Sequence, residues 1–459
     1  MRELAEHALT GDERVVPRRT NAPKHCGWCG RRLPEAGNVG RRRRYCGQSC
    51  RQRAYERRTA LQRSGLPEDA VVLSDTEIAA LQDRLFQLRC AAEDIVTAAQ
   101  DGASTGSCGS SPRRSRPRPR TSNSFADASV RLLSLLVIDN VEVRSSGLLP
   151  VGGGHEIYWE ESGNPDGIPA VYVHGGPGGG LGSGKYRNKL DPQRFRIIGL
   201  DQRGCGRSTP LATAPGYRLE DNTTPALIAD LERVREHLHV GEWLLNGVSW
   251  GSTLALAYAQ DHPARVLGMV LVAVTTTDRS QVDWITETVG AVYPEAWDRL
   301  ATHAEQAGIG YRRHEGRLIE AYARLMTDPD PKVRDAASLA WMDWEDHHIS
   351  IGSGQVQPST GRSDDFRQVF ATLVTHYWAN DAFLNPPILR RMDRLHDIPA
   401  TLIHGRRDVS GPALFPWLLH RAWPGSELII EESEGHGGEL MVKAWRSAND
   451  RHADRIETR

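Results

Sequence analysis

From about residue 170 onward, the chain alternates short apolar runs with longer amphipathic stretches. The runs end in Gly, Ser, Asp or acidic residues, a pattern typical of buried β-strands. The predicted strands are Ala170–Gly176, Phe195–Asp201, Trp243–Ser249, Val266–Val274, Ala400–Gly405 and Ser426–Glu432. Helices are predicted between them, for example over Thr224–Leu238 and Ser252–Gln260. Nearly continuous apolar strands separated by helices indicate an α/β fold, with a mostly parallel sheet flanked by helices.

The pattern changes between about Thr275 and Arg394, where Trp-rich and Ala-rich helical stretches replace the strands. A helical block of this length between two strands predicts a cap inserted over the carboxyl edge of the sheet. The predicted boundaries are therefore 135–275 for the first part of the core, 276–394 for the inserted helical cap, and 395–459 for the second part of the core.

Two further segments are predicted upstream of the core. Apolar residues between 78 and 95 step by three and four positions, which predicts an amphipathic helix over 74–100. This heptad seam either packs on its own domain or pairs with a second copy of the chain, and the pattern leaves both open. Residues 101–127 consist mainly of Ser, Gly, Pro and Arg, which predicts a disordered linker.

The net charge of −1 conceals a strongly basic segment near the start of the chain. Residues 23–63 contain twelve Lys and Arg against two Glu, a difference of +10. No apolar run in the 459 residues reaches the roughly 18 needed to cross a bilayer. The first residues also lack the apolar region of a secretory signal. We therefore expect a cytoplasmic protein with no membrane partner.

Four of the seven cysteines fall in or beside this basic segment, as Cys26-x2-Cys29 and Cys46-x3-Cys50. Two close pairs at this separation predict a small module over 20–65, in which four thiolates hold one structural zinc ion. The segment resembles small treble-clef-like zinc modules. Its cations and aromatic residues are also compatible with nucleic-acid binding, while a solvated basic surface or a protein-docking surface would produce the same composition.

The strongest chemical signal is Gly247-Val248-Ser249-Trp250-Gly251, which stands between a predicted strand and a predicted helix. In that setting, the two glycines allow a strained turn that projects the serine hydroxyl from the sheet edge. We therefore predict that Ser249 is a catalytic nucleophile.

A nucleophilic serine needs a base, an acid that orients the base, and donors for the oxyanion. Asp408 and His436 follow later strands in the chain order expected for such a serine, so they are the predicted acid and base. The glycine-rich loop His174–Gly180 follows another strand and offers unobstructed backbone N–H groups. We assign the oxyanion hole to the amides of Gly176 and Trp250, with the neighbouring Gly175 amide left open.

Seven segments together resemble the proline iminopeptidases, serine peptidases of the α/β-hydrolase superfamily. They are HEIYWEESGNP, HGGPGGG, DQRGCGRSTP, DNTTPALIADLERVREHL, GVSWGSTLALAYAQDHP, DWITETVGAVYPEAW and HGRRDVSGP. The likeness covers about residues 140–445. It implies an α/β-hydrolase fold, a triad of Ser249, Asp408 and His436, no cofactor for catalysis, and removal of proline from peptides with a free N-terminus.

The same family binds the substrate's free amine through acidic residues of the cap. The segment WMDWE resembles a family pattern and implies that Glu345 is an amine anchor. Val374 stands where the family has a second glutamate, so strict prolyl specificity is not implied. An esterase or amidase of the same fold is the first alternative function. A nucleic-acid-binding regulator with a hydrolase-like sensor domain is the second.

Overall fold

The computed structural model describes residues 46–48, 51–52, 141–351 and 363–458. Contacts divide the chain into two compact units, Met1–Pro119 and Arg120–Arg459. The predicted helix over 74–100 and the predicted linker over 101–127 lie outside the described residues, so both stay predictions. All elements below belong to the second unit.

An eight-stranded sheet forms the centre of this unit, in the order β1-β2-β4-β3-β5-β6-β7-β8. Strands β3 to β8 pair in parallel, while β1 and β2 form a hairpin that adds antiparallel to β4. The strands are β1 Val143–Gly152, β2 His155–Gly163, β3 Ile168–Val173, β4 Phe195–Leu200, β5 Trp243–Val248, β6 Val266–Val272, β7 Ala400–Gly405 and β8 Ser426–Glu431.

Helices connect the parallel strands. They are α1 Thr224–His237, α2 Trp250–Asp261, α3 Arg279–Thr286, α4 Pro294–Gln306, α5 Leu318–Leu325, α6 Pro331–His348, α7 Asp364–Ala379, α8 Leu414–Arg421 and α9 Glu439–Glu457. Short 3₁₀ helices span Lys185–Lys189, Leu219–Asp221, Pro263–Arg265, Thr288–Ala291, Asp381–Phe383, Ile388–Arg390 and Met392–Leu395. Helices α3 to α7 all lie between β6 and β7, and we refer to them as the helical insertion.

The strands are apolar throughout because both faces of the sheet are covered. Successive side chains of a strand point to opposite faces. Accordingly, Leu245 and Leu271 pack in one cluster with residues of α1 and α2, while Val270 and Val272 pack in another with residues of α9. Helix α2 is buried along nearly its whole length, which explains why its sequence is apolar on every side.

The six predicted strands correspond to β3 to β8, with small corrections at their ends. The predicted strand Val266–Val274 ends at Val272 because Ala273 takes a positive φ of 50° and leaves the sheet. Strands β1 and β2 were not predicted. Strand β1 contains Gly and Pro and is mostly exposed, so it has no apolar run.

Strand β2 was not predicted for a different reason. Its buried positions include Glu160 and Glu161, whose carboxylates pair with Arg187 and Arg196 from distant parts of the chain. Buried charges are tolerated when they are paired and hydrogen-bonded. That pairing exists only in the folded protein, so the strand looks too polar in the sequence.

Within the described part of the chain, no helix is long and apolar enough to cross a membrane.

Candidate active site

Ser249 occupies the tight turn between β5 and α2. Its φ of 54° and ψ of −124° lie in a region of backbone conformation that residues other than glycine rarely adopt. The turn is held by the Ser249 N–H, which donates to the Val272 carbonyl at 2.9 Å. Two hydroxyls, from Ser252 at 2.6 Å and Thr275 at 2.9 Å, donate to the Ser249 carbonyl. Backbone strain is therefore stored at the predicted nucleophile and supported on several sides.

The glycines that flank this turn have no room for a side chain. A Cβ on Gly247 would lie 2.6 Å from the Gly251 carbonyl oxygen, and a Cβ on Gly251 would collide with the Val173 carbonyl oxygen. The close approach of α2 to β3 therefore requires glycine at residue 251, which gives the motif a physical basis beyond its sequence spacing.

His436 and Asp408 lie in the loops that follow β8 and β7. The Nε2 atom of His436 is 3.1 Å from the Ser249 Oγ, and its Nδ1 atom is 2.8 Å from the Asp408 Oδ2. The other carboxylate oxygen of Asp408 accepts hydrogen bonds from the backbone N–H groups of Ser410 and Gly411, both at 3.0 Å. The structure thus brings the three predicted residues into one hydrogen-bonded chain.

The electrostatics of this chain favour a charged Asp408 and a basic His436. Burial alone would raise the pKa of Asp408, but the charge and hydrogen bond of His436 outweigh burial and lower that pKa. Burial likewise acts to lower the pKa of His436, yet the Asp408 carboxylate raises it above its ordinary value. Glu345 adds to the rise through its negative charge.

Two other histidines at strand ends have packing roles. His404 is buried: its Nδ1 accepts from the Val274 N–H at 3.0 Å and its Nε2 lies 2.5 Å from the Gly411 carbonyl. Burial lowers its pKa. His174 is also buried and accepts from the backbone N–H of Gln202 at 3.0 Å. Both rings therefore stabilise the loops that surround the site.

The glycine-rich loop passes directly beside Ser249. A Cβ on Gly175 would lie 3.1 Å from the Val248 carbonyl oxygen and 3.3 Å from the Ser249 Cβ. Gly176 has a φ of 118°, a backbone angle that residues other than glycine rarely adopt. Gly176 and Trp250 both line the same cavity as Ser249 and His436, and Trp250 directly follows the nucleophile in the chain.

A cavity of about 310 Å³ opens onto Ser249. Its walls come from the loops at the carboxyl edge of the sheet and from the helical insertion. The loop side includes Gly175, Gly176, Gly179, Ser249, Trp250, Thr275, Thr277, Ser410 and His436, and the insertion side includes Gln281, Val282, Ile285, Glu345, His348, Ile349, Phe366, Phe370 and Trp378. Among these lining residues, Glu345 is the only carboxylate.

Glu345 lies on α6 and is 7% exposed. The Trp341 indole N–H donates to its Oε1 at 3.2 Å, and the Nε2 of His348 is 3.3 Å from its Oε2. The structure therefore places the predicted amine anchor in the wall of the cavity, with its carboxylate held by the Trp341 indole on the same helix.

Val374 does not line the cavity. It is fully buried in the main core cluster, although Phe370 and Trp378, four residues to either side on α7, do line the cavity. Residues four apart share a helix face, so Val374 lies behind an aromatic wall. In this protein, that wall presents apolar surface where the family resemblance places a second carboxylate.

Several lining residues were not predicted from the sequence, chiefly His348, Ser410 and the aromatic residues of α7. His348 carried a usable signal, because it follows Glu345 by three positions in a predicted helix and therefore shares its face. No comparable sequence signal marks Ser410, because only the folded loop brings this residue close to α6.

Cys205, in the segment DQRGCGRSTP, lies in the core. It is fully buried, and its Sγ lies 3.2 Å from the Gln202 carbonyl oxygen. Burial raises the pKa of this thiol well above its ordinary value. A neutral buried thiol is a poor nucleophile, so the structure indicates a packing role for Cys205.

Of the four predicted zinc ligands, Cys26, Cys29 and Cys50 lie outside the described residues, and only Cys46 is described. In the part of the chain that the structure describes, no group of three or more potential metal ligands is found. The predicted zinc module is therefore neither supported nor contradicted here.

The chain matches the family model of the alpha/beta hydrolase fold over residues 169–438. It is 43% identical over 319 residues to a probable proline iminopeptidase of Streptomyces coelicolor, a match that covers 68% of this chain and 96% of the relative. A proline iminopeptidase of Arabidopsis thaliana is 40% identical, with 64% and 76% of the two chains covered. One of Neisseria meningitidis is 43% identical, with 63% and 90% covered. The chain therefore belongs to the proline iminopeptidase family of α/β-hydrolases.

Proposed function

We propose that this protein is a serine exopeptidase that releases proline, or a small residue, from the free N-terminus of peptides. The observation that carries the proposal is the hydrogen-bonded chain from Asp408 through His436 to Ser249, with links of 2.8 and 3.1 Å. That chain ends at a cavity whose wall also includes Glu345. The activity named for the relatives supports the same conclusion.

In the proposed reaction, the Ser249 Oγ attacks the carbonyl carbon of the first residue while the His436 Nε2 takes the hydroxyl proton. Asp408 stabilises the resulting imidazolium through the Nδ1–H. The tetrahedral intermediate collapses, the C–N bond breaks, and His436 returns the proton to the departing amine. Water then attacks the acyl carbon with His436 again as base, the ester bond to Ser249 breaks, His436 returns the proton to the Ser249 Oγ, and the free amino acid leaves.

The backbone N–H groups of Gly176 and Trp250 are the proposed donors to the oxyanion. Donors of this kind are already oriented before reaction and stabilise charge that develops only in the transition state. The proposal is supported by the position of both residues in the wall beside Ser249. Gly175 also lies beside Ser249, so its amide remains the alternative to that of Gly176.

The size of the cavity suits recognition of a single residue. At about 310 Å³ it is near the lower end of the roughly 300–1,000 Å³ typical of ligand pockets. We propose that helices α3 to α7 act as a cap that closes this space over the carboxyl edge of the sheet. Glu345 would then bind the substrate ammonium, while Phe366, Phe370 and Trp378 would contact the apolar ring.

An esterase or amidase without amine recognition is the second candidate function. It is favoured by the apolar wall around Val374, where the family resemblance implies a carboxylate. With one carboxylate in the cavity wall, preference for a free amine should be shallower than in an enzyme with two, since each charge-assisted hydrogen bond contributes about 1.5–3 kcal/mol.

We also retain the proposal that Cys26, Cys29, Cys46 and Cys50 hold one structural zinc ion. Their spacing supports it. Metal analysis of a fragment over 20–65 tests the proposal, and a fragment without zinc would remove it. Nucleic-acid binding by the same basic segment, and self-association through the seam over 78–95, rest on sequence pattern alone.

The decisive experiment compares kcat/KM for a prolyl amide with a free amine against its N-acetylated form and a simple ester. An aminopeptidase prefers the free amine, whereas equal rates on both amides would establish the esterase or amidase alternative. Ser249→Ala serves as the control. We expect it to fold normally and to lose at least about 1,000-fold in rate, because members of a triad act as a unit. Near-normal turnover by this variant would contradict the assignment of the nucleophile.

A further inference from the structure

His348 is a buried polar residue in the cavity wall that the proposed mechanism does not use. It is the last residue of α6 and is 2% exposed. Its Nε2 lies 3.3 Å from the Glu345 Oε2, yet this atom makes no hydrogen bond with any residue that the structure describes. A buried nitrogen without a partner is costly, so the position calls for a ligand.

The contacts of the opposite ring nitrogen determine where the imidazole proton lies. The Ser410 hydroxyl donates to the His348 backbone carbonyl at 3.1 Å. The same hydroxyl oxygen is 2.9 Å from the His348 Nδ1. With the hydroxyl proton directed to the backbone carbonyl, the ring arrangement that satisfies Ser410 has the Nδ1–H donating to it, which leaves the Nε2 as an acceptor.

Two acceptors therefore face each other at the cavity wall, the Nε2 of His348 and the carboxylate of Glu345. Such a pair is satisfied by a donor that carries at least two N–H groups. The amine of an N-terminal proline is a secondary ammonium with two N–H groups, one for each acceptor. A charged donor between them also gains charge-assisted hydrogen bonds.

We propose that His348 is a second residue that binds the substrate ammonium, through its Nε2 and together with Glu345. This inference rests on the proposed aminopeptidase function. In this protein, the His348 imidazole on α6 supplies the second acceptor, while α7 presents the apolar wall in front of Val374. The site thus pairs a carboxylate with an imidazole nitrogen.

Ser410 links the amine site to the proposed triad. Its hydroxyl holds His348, and its backbone N–H donates to Asp408 at 3.0 Å. The loop after β7 therefore sets the position of the ammonium relative to the reacting serine. A shift of this loop would change amine binding and Asp408 together.

The test uses two competing compounds that differ only in the ring amine: cyclopentanecarboxamide and L-prolinamide, which is itself a substrate of the proposed reaction and is therefore compared at initial rate. Their inhibition constants are measured against hydrolysis of p-nitrophenyl acetate, a substrate without an amine, using the full-length protein. In His348→Asn, the side-chain amide can still donate to Ser410, but the Nε2 position is empty. We expect the inhibition constant of prolinamide to rise roughly tenfold or more relative to that of cyclopentanecarboxamide, so that the ratio of the two constants, rather than the ester rate, carries the result.

Two further variants make the test specific. His348→Gln places an amide oxygen near the Nε2 position and should recover part of the prolinamide affinity. His347→Asn is the matched control. In the unmutated protein the His347 Nδ1 contacts the Asp343 carbonyl at 2.6 Å, and His347 does not line the cavity. This variant should leave both inhibition constants unchanged.

The other outcomes separate this inference from the proposed function. If the unmutated protein prefers prolinamide and His348→Asn keeps that preference, the inference is wrong and the aminopeptidase proposal stands. If His348→Asn weakens both inhibitors equally or abolishes ester hydrolysis, His348 is structural and the inference is wrong. If the unmutated protein binds both carboxamides equally, the proposed function fails and the inference fails with it.

Discussion

The pKa of His436 sets the pH dependence that the proposed mechanism predicts. Burial opposes the charged ring, but Asp408 and Glu345 raise the pKa above 6.5. His436 must be neutral to accept the Ser249 proton, so kcat/KM should fall as the pH drops through a value above 6.5. A profile of kcat/KM against pH for the purified protein measures this fall, which is the acid limb of the profile.

Asp408→Asn provides the comparison for that profile. Removal of the carboxylate should lower the His436 pKa, so the acid limb of the profile should move to lower pH. The variant should also have a much lower kcat/KM than the unmutated protein. An acid limb that does not move in the variant would contradict the assigned base and acid.

Glu345 is the residue that we expect to bind the substrate amine. Glu345→Gln keeps the size of the side chain and removes its charge, so kcat/KM for a free prolyl amide should fall about tenfold or more. Hydrolysis of p-nitrophenyl acetate should change little, because that substrate has no amine. The two rates measured side by side check the prediction.

Asp343→Asn is the matched control on the same helix. Asp343 pairs with Arg299 at 2.7 Å on the exposed side of α6 and does not line the cavity. Its removal should leave both rates unchanged. An equal loss of free-amine turnover in the two variants would indicate a general electrostatic effect rather than an amine anchor.

At the scale of elements, the site depends on how closely α2 approaches β3. Gly251→Ala places a Cβ against the Val173 carbonyl oxygen, which belongs to the sheet and cannot move freely. We expect a loss of about 1–3 kcal/mol in the free energy of unfolding, together with reduced turnover because Ser249 shifts. Denaturant unfolding and kcat/KM are the measurements.

Gly241→Ala is the control for that substitution. Gly241 lies in the turn before β5, and a Cβ there would meet nothing within 4 Å. Its stability should stay near that of the unmutated protein. Similar losses in the two variants would mean that the crowding at residue 251 is not what constrains the turn.

At the scale of the whole molecule, every described residue of the site belongs to the unit Arg120–Arg459. A fragment over 127–459 should therefore keep kcat/KM within about twofold of the full chain, since a compact unit with its own core can fold alone. Steady-state kinetics of the two proteins compare them directly. A large loss in the fragment would show that the first unit contributes to catalysis.

Cys46→Ser in the full-length chain refines this comparison. If the predicted zinc ion only supports folding of the first module, the variant should lose metal and keep its hydrolytic rate. Loss of hydrolysis together with the metal would contradict a purely structural role.

Local pattern was sufficient to identify most of the core and the parts of the candidate site. Buried parallel strands are apolar along their whole length, so β3 to β8 stand out without any knowledge of their neighbours. Ser249, Asp408 and His436 were predicted because each follows such a strand, and the carboxyl ends of parallel strands meet at one edge. Glu345 was suggested only by resemblance, since one acid on a helix carries no signal by itself.

Tertiary structure decided the features that depend on partners distant in the chain. Strand β2 is buried with two glutamates because arginines from other segments neutralise them. Among the described residues the Nε2 of His348 has no hydrogen-bond partner, and Ser410, 62 residues away in the chain, contacts the other ring nitrogen. Hydrophobic periodicity reports which face of an element is buried, but it does not report which polar atom meets which, and that pairing determines the chemistry of this cavity.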